Sequence, residues 1–394
     1  MTKNIKKLAD QIKTPAYVFF KEDFVKRAED TRAALGDGIG MCYSIKANPF
    51  LVDPFFEADK LFDLFEVCSP GELRICQRCG IPAAKILFSG VNKNTEEIKT
   101  AMSGGVRYFT AESMTQFSNI HSAAQDEGIT ADVLIRIAAD SQFGMDKEEA
   151  MSLIASRQDY PHVYIRGIHY FTGTQKKTSK TIVKETGFLK EFCEKVSSEC
   201  GFAIEHVEYG TGLDAACFKD QTYGVTDIEE IVPCLKELSE VTDLTIEMGR
   251  YFASDCGYYF TKVVDVKKNA GTGYLIVDGG MNQLHYDGQI KGMKSPHILH
   301  ISKDDCIYES SSGSPYTVCG SICSTEDVIC AEVPFDDPAK GDILVFMNCG
   351  AYSVTEGMAL FLSREMPQIQ AYSEKDGPVL LRDTIETDRF NCRM

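Results

Sequence analysis

Short apolar runs alternate with longer amphipathic stretches from about residue 15 to residue 252. The runs are rich in β-branched and aromatic residues, as strands are, whereas SKTIVKETGFLKEFCEKVSSEC (179–200) has helical periodicity. After the first run, AYVFF (16–20), they are MCYSIKA (41–47), LFEVCS (64–69), KILFSG (85–90), RYFTAE (107–112), VLIRIA (133–138), IRGIHYF (165–171), HVEYG (206–210) and LTIEMG (244–249). This alternation predicts βα units on a parallel sheet. About eight repeats over roughly 230 residues fit a (β/α)₈ barrel, and a doubly wound open sheet is the alternative.

The pattern changes after residue 252, where short strands are separated by turns that contain Gly, Asp and Pro. These strands are YYFTKVVDVKK (258–268), GYLIVD (273–278), DVICAEV (327–333) and DILVFM (342–347). They predict an all-β domain with one helix near TEGMALFLS (355–363). We expect the barrel at 25–252 and the β-domain at 253–394, with residues 1–24 contributing to the latter. The run AYVFF is compatible with either domain.

Composition narrows the class of protein. The 394 residues are too many for one small core, which favours two domains. A net charge of -17 disfavours nucleic acid and anionic membranes as partners. The chain has no apolar run of membrane-spanning length, and its N-terminus lacks the apolar core of a signal peptide. The 15 scattered cysteines include no pair of CxxC motifs that would indicate a metal site, so we expect reduced thiols and a cytoplasmic location.

The segment YSIKANP (43–49) places Lys46 on an apolar, strand-like run. A strand lysine is most often a solvent-facing residue at an edge. A desolvated amine is the other interpretation, because burial disfavours the charged form and makes a lysine nucleophilic toward an aldehyde. Pyridoxal 5'-phosphate (PLP) requires such a lysine, so Lys46 is a candidate for its attachment.

The segment EMGR (247–250) ends the last predicted barrel strand. A carboxylate at the pyridine nitrogen of PLP keeps that nitrogen protonated, so the ring can accept the electrons left when a bond to Cα breaks. Glu247 can supply this carboxylate, and Arg250 can bind a phosphate through two hydrogen bonds. A surface Glu–Arg pair of little energetic value is the alternative.

Four further segments can contribute to a cofactor site. In YGTGLD (209–214) the glycines allow backbone N–H groups to approach an anion, although a plain strand-to-helix turn has the same pattern. In HYFTGTQ (169–175) an aromatic can stack on a cofactor ring or pack in the core. GSICSTED (320–327) and CGAY (349–352) hold Cys323 and Tyr352, which taken singly are one thiol among 15 and a turn aromatic.

Together these segments resemble the fold-type III PLP-dependent decarboxylases, the group of diaminopimelate, ornithine and arginine decarboxylases. The resemblance extends from TPAYVFF (14–20) to the CGAY turn, and YSIKANP, EMGR and CGAY are its most specific parts. It implies an alanine-racemase-type (β/α)₈ barrel followed by an all-β domain. It also implies a homodimer with shared active sites that acts on a small amino-acid substrate.

The resemblance assigns roles residue by residue. Lys46 matches the Schiff-base lysine, Glu247 the carboxylate at the pyridine nitrogen, and Cys323 a cysteine that reaches the site from the partner subunit and protonates the product. These three are the expected catalytic residues. The expected cofactor-binding residues are Lys46, Glu66, Arg136, Phe171, Thr174, Gly210, Gly212, Glu247, Gly249, Arg250 and Tyr352.

Three departures concern specificity, and the expected substrate-binding residues are Ser324, Asp327 and Tyr286. Phe171 replaces a ring-stacking histidine. Ser324 stands where diaminopimelate and ornithine enzymes have an acid for the distal ammonium, and Tyr286 stands near an arginine for the distal carboxylate. Glu326 or Asp327 can compensate for the first loss, and Lys291 or Lys294 for the second. The segments xFxGTQ (170–175) and DGGMN…GQ (278–289) resemble those of a branch of this family that acts on carrier-tethered or other specialised amino acids.

The resemblance leaves several functions open. The leading hypothesis is PLP-dependent decarboxylation of an L-amino acid or an amino-acid conjugate, which releases CO₂ and an amine. Diaminopimelate decarboxylation in lysine biosynthesis is one alternative. An amino-acid racemase is another, but racemases of this fold usually place an arginine at the pyridine nitrogen. A non-catalytic PLP-binding homologue is disfavoured by the joint presence of Lys46, Glu247, Arg250 and Cys323.

Overall fold

A computed structural model describes residues 2–221, 227–303 and 307–393, which form two compact units. The barrel unit comprises Val25–Asp214 and Tyr223–Phe252. The β-rich unit comprises Met1–Phe24, Ala215–Thr222 and Ala253–Met394. The predicted limits of 25–252 differ from this division by the short segment Ala215–Thr222, which belongs to the β-rich unit.

Eight parallel strands close into a barrel, which confirms the predicted architecture and excludes the open sheet. Helix α1 (Thr2–Ala9) and strand β1 (Ala16–Phe20) precede them. The barrel strands are β2 (Ile39–Ser44), β3 (Leu64–Val67), β4 (Ile86–Phe88), β5 (Tyr108–Ala111), β6 (Ala131–Arg136), β7 (Val163–Phe171), β8 (His206–Gly210) and β9 (Asp243–Met248). Each pairs in register with its neighbour in sequence, and β9 closes on β2. All their carboxyl ends therefore lie at one face of the barrel, where active sites of this architecture occur.

Helices lie between these strands. They are α2 (Lys21–Leu35), α3 (Ala58–Leu61), α4 (Pro70–Arg78), α5 (Thr95–Ser103), α6 (Met114–Asp126), α7 (Lys147–Ala155), α8 (Ser179–Cys200), α9 (Ile228–Ser239) and α10 (Arg250–Ala253). Ser69 caps α4 ahead of Pro70, and Asn94 forms a reciprocal capping box with Glu97 at α5. No helix in the described ranges is long and apolar enough to cross a membrane.

The β-rich unit is built on one ten-stranded sheet. Its further strands are β10 (Gly257–Asn269), β11 (Thr272–Val277), β12 (Ile298–Ile301), β13 (Ile307–Glu309), β14 (Ser314–Cys319), β15 (Val328–Phe335), β16 (Ile343–Phe346), β17 (Gln368–Ser373) and β18 (Gly377–Arg382). The order along the sheet is β13-β12-β16-β10-β1-β17-β18, with β11, β14 and β15 continuing from β10. The run AYVFF thus forms β1, antiparallel to β10 and parallel to β17.

The helix predicted at 355–363 is wrong. Turns occupy this segment, followed by a short 3₁₀ helix at Phe361–Ser363 in which Leu362 has a positive φ of 56°. A short helix depends on burying one apolar face. Met358 and Leu360, however, are each 44% exposed, and Phe361 is 42% exposed. The apolar residues that indicated a helix therefore lack the packing that would stabilise one.

Candidate active site

Lys46 lies at the carboxyl end of β2, at the face where active sites of this architecture occur. The strand ends at Ser44, earlier than the predicted run 41–47, and Lys46 sits on a 3₁₀ turn, Ile45–Ala47. Its Nζ is 2.6 Å from Glu66 Oε2 and 3.7 Å from Glu247 Oε1. The register explains this arrangement, because Glu66 on β3 and Glu247 on β9 belong to the strands on either side of β2. The amine thus lies between two carboxylates.

Glu247 is held as an ionised carboxylate inside the barrel. Ser44 Oγ is 2.8 Å from its Oε1, and His169 Nε2 is 3.0 Å from its Oε2. Burial alone raises the pKa of the Glu247 carboxyl. The Lys46 ammonium and the hydrogen bonds from His169 and Ser44 outweigh burial, so the pKa of Glu247 lies well below its usual range. This carboxylate keeps its charge at neutral pH.

Two polar residues beside Lys46 were not among the predicted site residues. Ser44 Oγ lies 2.6 Å from Glu66 Oε2, so its single hydrogen serves either Glu66 or Glu247. Cys68 Sγ lies 2.9 Å from Glu66 Oε1 and 3.6 Å from Lys46 Nζ. Burial first, and the Glu66 charge second, raise the pKa of the Cys68 thiol. The thiol therefore stays protonated and donates to Glu66. The available signal was strand alternation, which puts positions 66 and 68 on one face.

Arg136, the last residue of β6, is paired within the barrel. Its Nη1 is 2.7 Å from Glu112 Oε1, and both side chains are largely buried. The nearby Lys93 is buried and donates to the Gly90 carbonyl at 2.5 Å. Burial lowers the pKa of Lys93 to about 8, and the Glu112 carboxylate opposes this shift. Within the described ranges, no three His, Cys, Asp or Glu side chains are placed to hold a metal ion.

The two predicted glycine segments contact each other at the ends of β7 and β8. A Cβ on Gly212 would lie 2.1 Å from the Gly173 carbonyl oxygen, and Gly212 has a φ of +65°. A Cβ on Gly210 would lie 2.4 Å from the Phe171 ring. Only glycine permits these approaches. The structure thus brings Gly210, Gly212 and Phe171 together, and the exposed Thr174 follows in the same turn.

The EMGR segment turns directly from β9 into α10. Gly249 allows this turn to pass close to Lys46, because a Cβ there would lie 2.8 Å from Ala47 Cβ and 3.0 Å from the Ser44 carbonyl oxygen. Arg250 is the first residue of α10 and is 8% exposed. The sequence neighbours of Glu247 therefore lie at the same face of the barrel as the lysine turn.

The predicted residues of GSICSTED lie between β14 and β15 in the β-rich unit. Cys323 is exposed and Ser324 is half-buried. Asp327 is 3% exposed, and its carboxylate accepts hydrogen bonds from the Met281 N–H at 2.8 Å and the Ile322 N–H at 2.9 Å. These bonds fix the loop around Cys323. In this structure Asp327 binds backbone N–H groups. The substrate contact that the sequence predicts for it stays a prediction.

Tyr286 and the two predicted compensating lysines also lie in the β-rich unit. Tyr286 is buried, and its hydroxyl donates to the Met347 carbonyl at 2.7 Å. Lys291 forms an ion pair with Glu326 at 2.7 Å. These two residues could each replace a charged substrate contact that this chain lacks, but here their charges are paired with each other. Lys294 Nζ lies 4.9 Å from the centre of the Phe218 ring.

Tyr352 of the CGAY turn is half-buried and has a positive φ of 66°. Its carbonyl accepts from the Thr355 and Glu356 N–H groups at 2.9 and 3.0 Å. In this turn the Tyr352 backbone adopts the left-handed conformation, which few non-glycine residues adopt. Its predicted role in cofactor binding stays a prediction.

Comparison with known proteins identifies a family and several relatives. Residues 21–254, more than half of the chain, match the pyridoxal-binding domain of pyridoxal-dependent decarboxylases. An L-glutamyl-acyl-carrier-protein decarboxylase from Niallia circulans is 26% identical over 391 residues, covering 91% of this chain and 89% of the relative. A diaminopimelate decarboxylase from Methanocaldococcus jannaschii is 26% identical over 405 residues, covering 95% and 90%.

A third relative acts on another kind of molecule. This Staphylococcus aureus decarboxylase, whose 2-hydroxybutanedioate substrate carries an L-alanin-3-ylcarbamoyl group, is 27% identical over 359 residues and covers 85% of this chain and 88% of the relative. Among solved structures, M. jannaschii diaminopimelate decarboxylase with L-lysine has a TM-score of 0.83 at 24% identity and covers 97% of this chain and 92% of its own. The predicted fold and the predicted cofactor are confirmed.

Proposed function

The chain belongs to the pyridoxal-dependent decarboxylases, and on that premise we propose that it decarboxylates an L-amino acid whose side chain is conjugated or carrier-tethered. The observation that carries the chemistry is the ionised, buried Glu247 beside Lys46. The observation that carries the substrate class is the absence of a charged side chain at positions 324 and 286.

The barrel residues fit PLP. Lys46 offers the amine for the aldehyde, and Glu247 offers an ionised partner for the pyridine nitrogen. Gly210 and Gly212 let the two segments approach each other, because a Cβ at either position would clash with the Phe171 ring or the Gly173 carbonyl oxygen. We assign the backbone N–H groups of these glycines to the phosphate. We assign Arg250 and Thr174 to the phosphate, Phe171 to the ring face, and Glu66, Arg136 and Gly249 to positions around the cofactor. A role of Tyr352 in cofactor binding stays an expectation from the family resemblance.

Each residue has a defined task in the proposed reaction. Lys46 would hold PLP covalently through its Nζ. When bound, PLP accepts the electrons that remain on Cα after CO₂ leaves. Glu247 holds the proton on the ring nitrogen, with His169 and Ser44 orienting its carboxylate. Cys323 returns a proton to Cα. This assignment favours decarboxylation over racemisation, because a charged carboxylate at the ring nitrogen favours electron withdrawal from Cα.

The substrate class rests on the residues at positions 324 and 286, where the family resemblance places contacts to the distal groups of the substrate. A diaminopimelate side chain ends in an ammonium and a carboxylate, and burying either without a partner is unfavourable. Ser324 and Tyr286 carry no charge, and the Tyr286 hydroxyl is engaged by the Met347 carbonyl. Two of the three relatives described above act on a carrier-bound glutamyl group or a conjugated hydroxybutanedioate. Free diaminopimelate is the alternative substrate, because the M. jannaschii relative is a diaminopimelate decarboxylase.

We further propose a cytoplasmic homodimer in which Cys323 serves the neighbouring subunit. The exposed position of this thiol on its loop leaves it accessible to a second chain. Through the described part of the chain, no cysteine pair forms a disulfide, in accord with a reducing compartment.

The test is CO₂ release measured across a substrate panel. The panel contains free diamino acids, glutamate, citrate-conjugated diamino acids and carrier-bound aminoacyl groups. We expect release from a conjugated or carrier-bound member and a yellow protein with a Schiff-base absorbance band. Chiral analysis of recovered substrate distinguishes a racemase, and a protein that binds PLP but turns over no panel member would contradict the proposal.

A further inference from the structure

A buried carboxylate, Glu185, accepts hydrogen bonds from three side chains on two segments of the barrel unit. Thr172 Oγ1 donates to its Oε1 at 2.5 Å. Lys176 Nζ and Tyr209 Oη both donate to its Oε2 at 2.5 Å. The Lys176 and Glu185 side chains are 7% and 9% exposed, and Tyr209 is fully buried. A buried charge pair is tolerated when further hydrogen bonds satisfy it, and the two hydroxyls do so here.

The three donors flank the glycine segments that we assign to the phosphate. Thr172 and Lys176 stand on either side of the turn at 173–175, and Tyr209 directly precedes the first glycine of YGTG. The Lys176 N–H also donates to the Gly212 carbonyl at 2.9 Å. The Glu185 carboxylate on α8 therefore binds side chains of both segments. The Lys176 backbone N–H joins the two segments to each other.

The protonation states suit a fixed anchor. Burial, followed by the Glu185 charge, raises the pKa of Tyr209 well above its usual range, so the phenol remains a donor. Burial lowers the pKa of Lys176, and the hydrogen bond and charge of Glu185 oppose that shift. None of these groups needs to reach the cofactor in order to affect how it is bound.

We infer that Glu185 and Lys176 are positioning residues that set the spacing of the two phosphate-binding segments. The inference rests on the proposed function, since it requires PLP to occupy the barrel. Backbone N–H groups bind phosphate over a narrow range of distances, and loops supply that geometry only when an underlying network fixes them. Loss of the anchor should therefore weaken recognition of the phosphate more than recognition of the pyridoxal ring.

The experiment compares the dissociation constants of PLP and of pyridoxal, which lacks the phosphate, by absorbance titration of the full chain. We expect Glu185→Gln to weaken PLP binding about 10- to 100-fold, the range known for outer-shell hydrogen-bond partners of metal sites, and to change pyridoxal binding less than about twofold. The matched control is Leu189→Ala. Leu189 is a fully buried residue one turn further along α8. This variant should lower the melting temperature and leave the ratio of the two constants unchanged.

A second variant covers the case in which Glu185→Gln does not fold, because that change leaves the Lys176 ammonium buried without its counterion. The double variant Lys176→Met/Glu185→Leu removes both charges, and apolar replacement of a buried pair is often tolerated. A wild-type PLP-to-pyridoxal ratio in either folded variant would overturn the inference. Failure of the wild-type chain to bind PLP would instead refute the proposed function on which it rests.

Discussion

The catalytic end of the barrel and the Cys323 loop of the β-rich unit use buried carboxylates in opposite ways. In the barrel, Glu66 and Glu247 contact other side chains, Lys46 among them. In the loop, Asp327 accepts two backbone N–H groups. A carboxylate among side chains retains a charge that can act on a ligand, whereas one saturated by the backbone fixes the path of the chain. Replacing a barrel carboxylate should therefore mainly lower activity, whereas replacing Asp327 should mainly lower stability.

The largest effect should come from Lys46→Ala. Removing the amine leaves PLP without its covalent attachment, so the Schiff-base absorbance band should vanish and CO₂ release should fall to background. A spectrum of the purified variant beside the wild type tests this. A wild-type chain that stays colourless after PLP is added would refute the role given to the barrel carboxylates, because the barrel would then hold no cofactor.

Glu247→Gln should lower turnover roughly 10²- to 10⁴-fold, the range expected for a group that controls a proton in the reaction. A neutral amide cannot keep the pyridine nitrogen protonated, while the phosphate contacts remain. We therefore expect kcat to fall much more than PLP affinity. Turnover at the wild-type rate would show that Glu247 does not face the ring nitrogen.

Substrate specificity, measured as kcat/KM for free diamino acids, should show an effect of intermediate size. It tests whether the β-rich unit selects the substrate. Each charge-assisted hydrogen bond lost in a desolvated pocket costs about 1.5–3 kcal/mol, or roughly ten- to a hundredfold in kcat/KM. Free meso-diaminopimelate and L-ornithine should accordingly be poor substrates, and Ser324→Glu should improve L-ornithine. Efficient turnover of meso-diaminopimelate, near ~10⁴–10⁸ M⁻¹s⁻¹, would place this chain in lysine biosynthesis.

Cys323→Ala should impair product formation and should be complemented in trans. If each site takes this thiol from the neighbouring chain, mixing inactive Lys46→Ala and Cys323→Ala subunits regenerates sites that contain both residues. Activity after mixing, up to about one quarter of the wild-type value for random pairing, is the expected result. No recovery despite demonstrated subunit exchange would indicate a site built within one chain.

The smallest effect concerns stability. Asp327→Ala leaves the Met281 and Ile322 N–H groups without their acceptor, which should lower the free energy of unfolding by about 2 kcal/mol. Cys323→Ala, at an exposed position of the same loop, should change it by less than about 0.5 kcal/mol. Urea unfolding measures both. Unchanged stability together with a raised KM in Asp327→Ala would make Asp327 a substrate contact instead.

Local sequence patterns predicted the barrel, because each strand–helix unit carries its own periodicity and caps. They also indicated Lys46 and Glu247, whose motifs are contiguous. They did not reveal the roles of Ser44 and Cys68, because these depend on the register between β2 and β3, which are more than 15 residues apart along the chain. The helix expected at 355–363 is absent for a related reason, since packing that a local pattern does not reveal leaves Met358, Leu360 and Phe361 42% to 44% exposed.

The pairing of β1 with β17 constrains how the protein is made. Ala16 and Gln368 are partners in one sheet although about 350 residues separate them. At roughly 5–20 residues per second, a ribosome needs about 20 to 70 s between synthesising one strand and the other. Every residue of AYVFF is buried in the finished sheet. During synthesis both hydrogen-bonding edges of this strand lack a partner until β10 is made, and one edge still lacks it until β17 is made. Translation speed and chaperone supply should therefore govern the yield of folded enzyme.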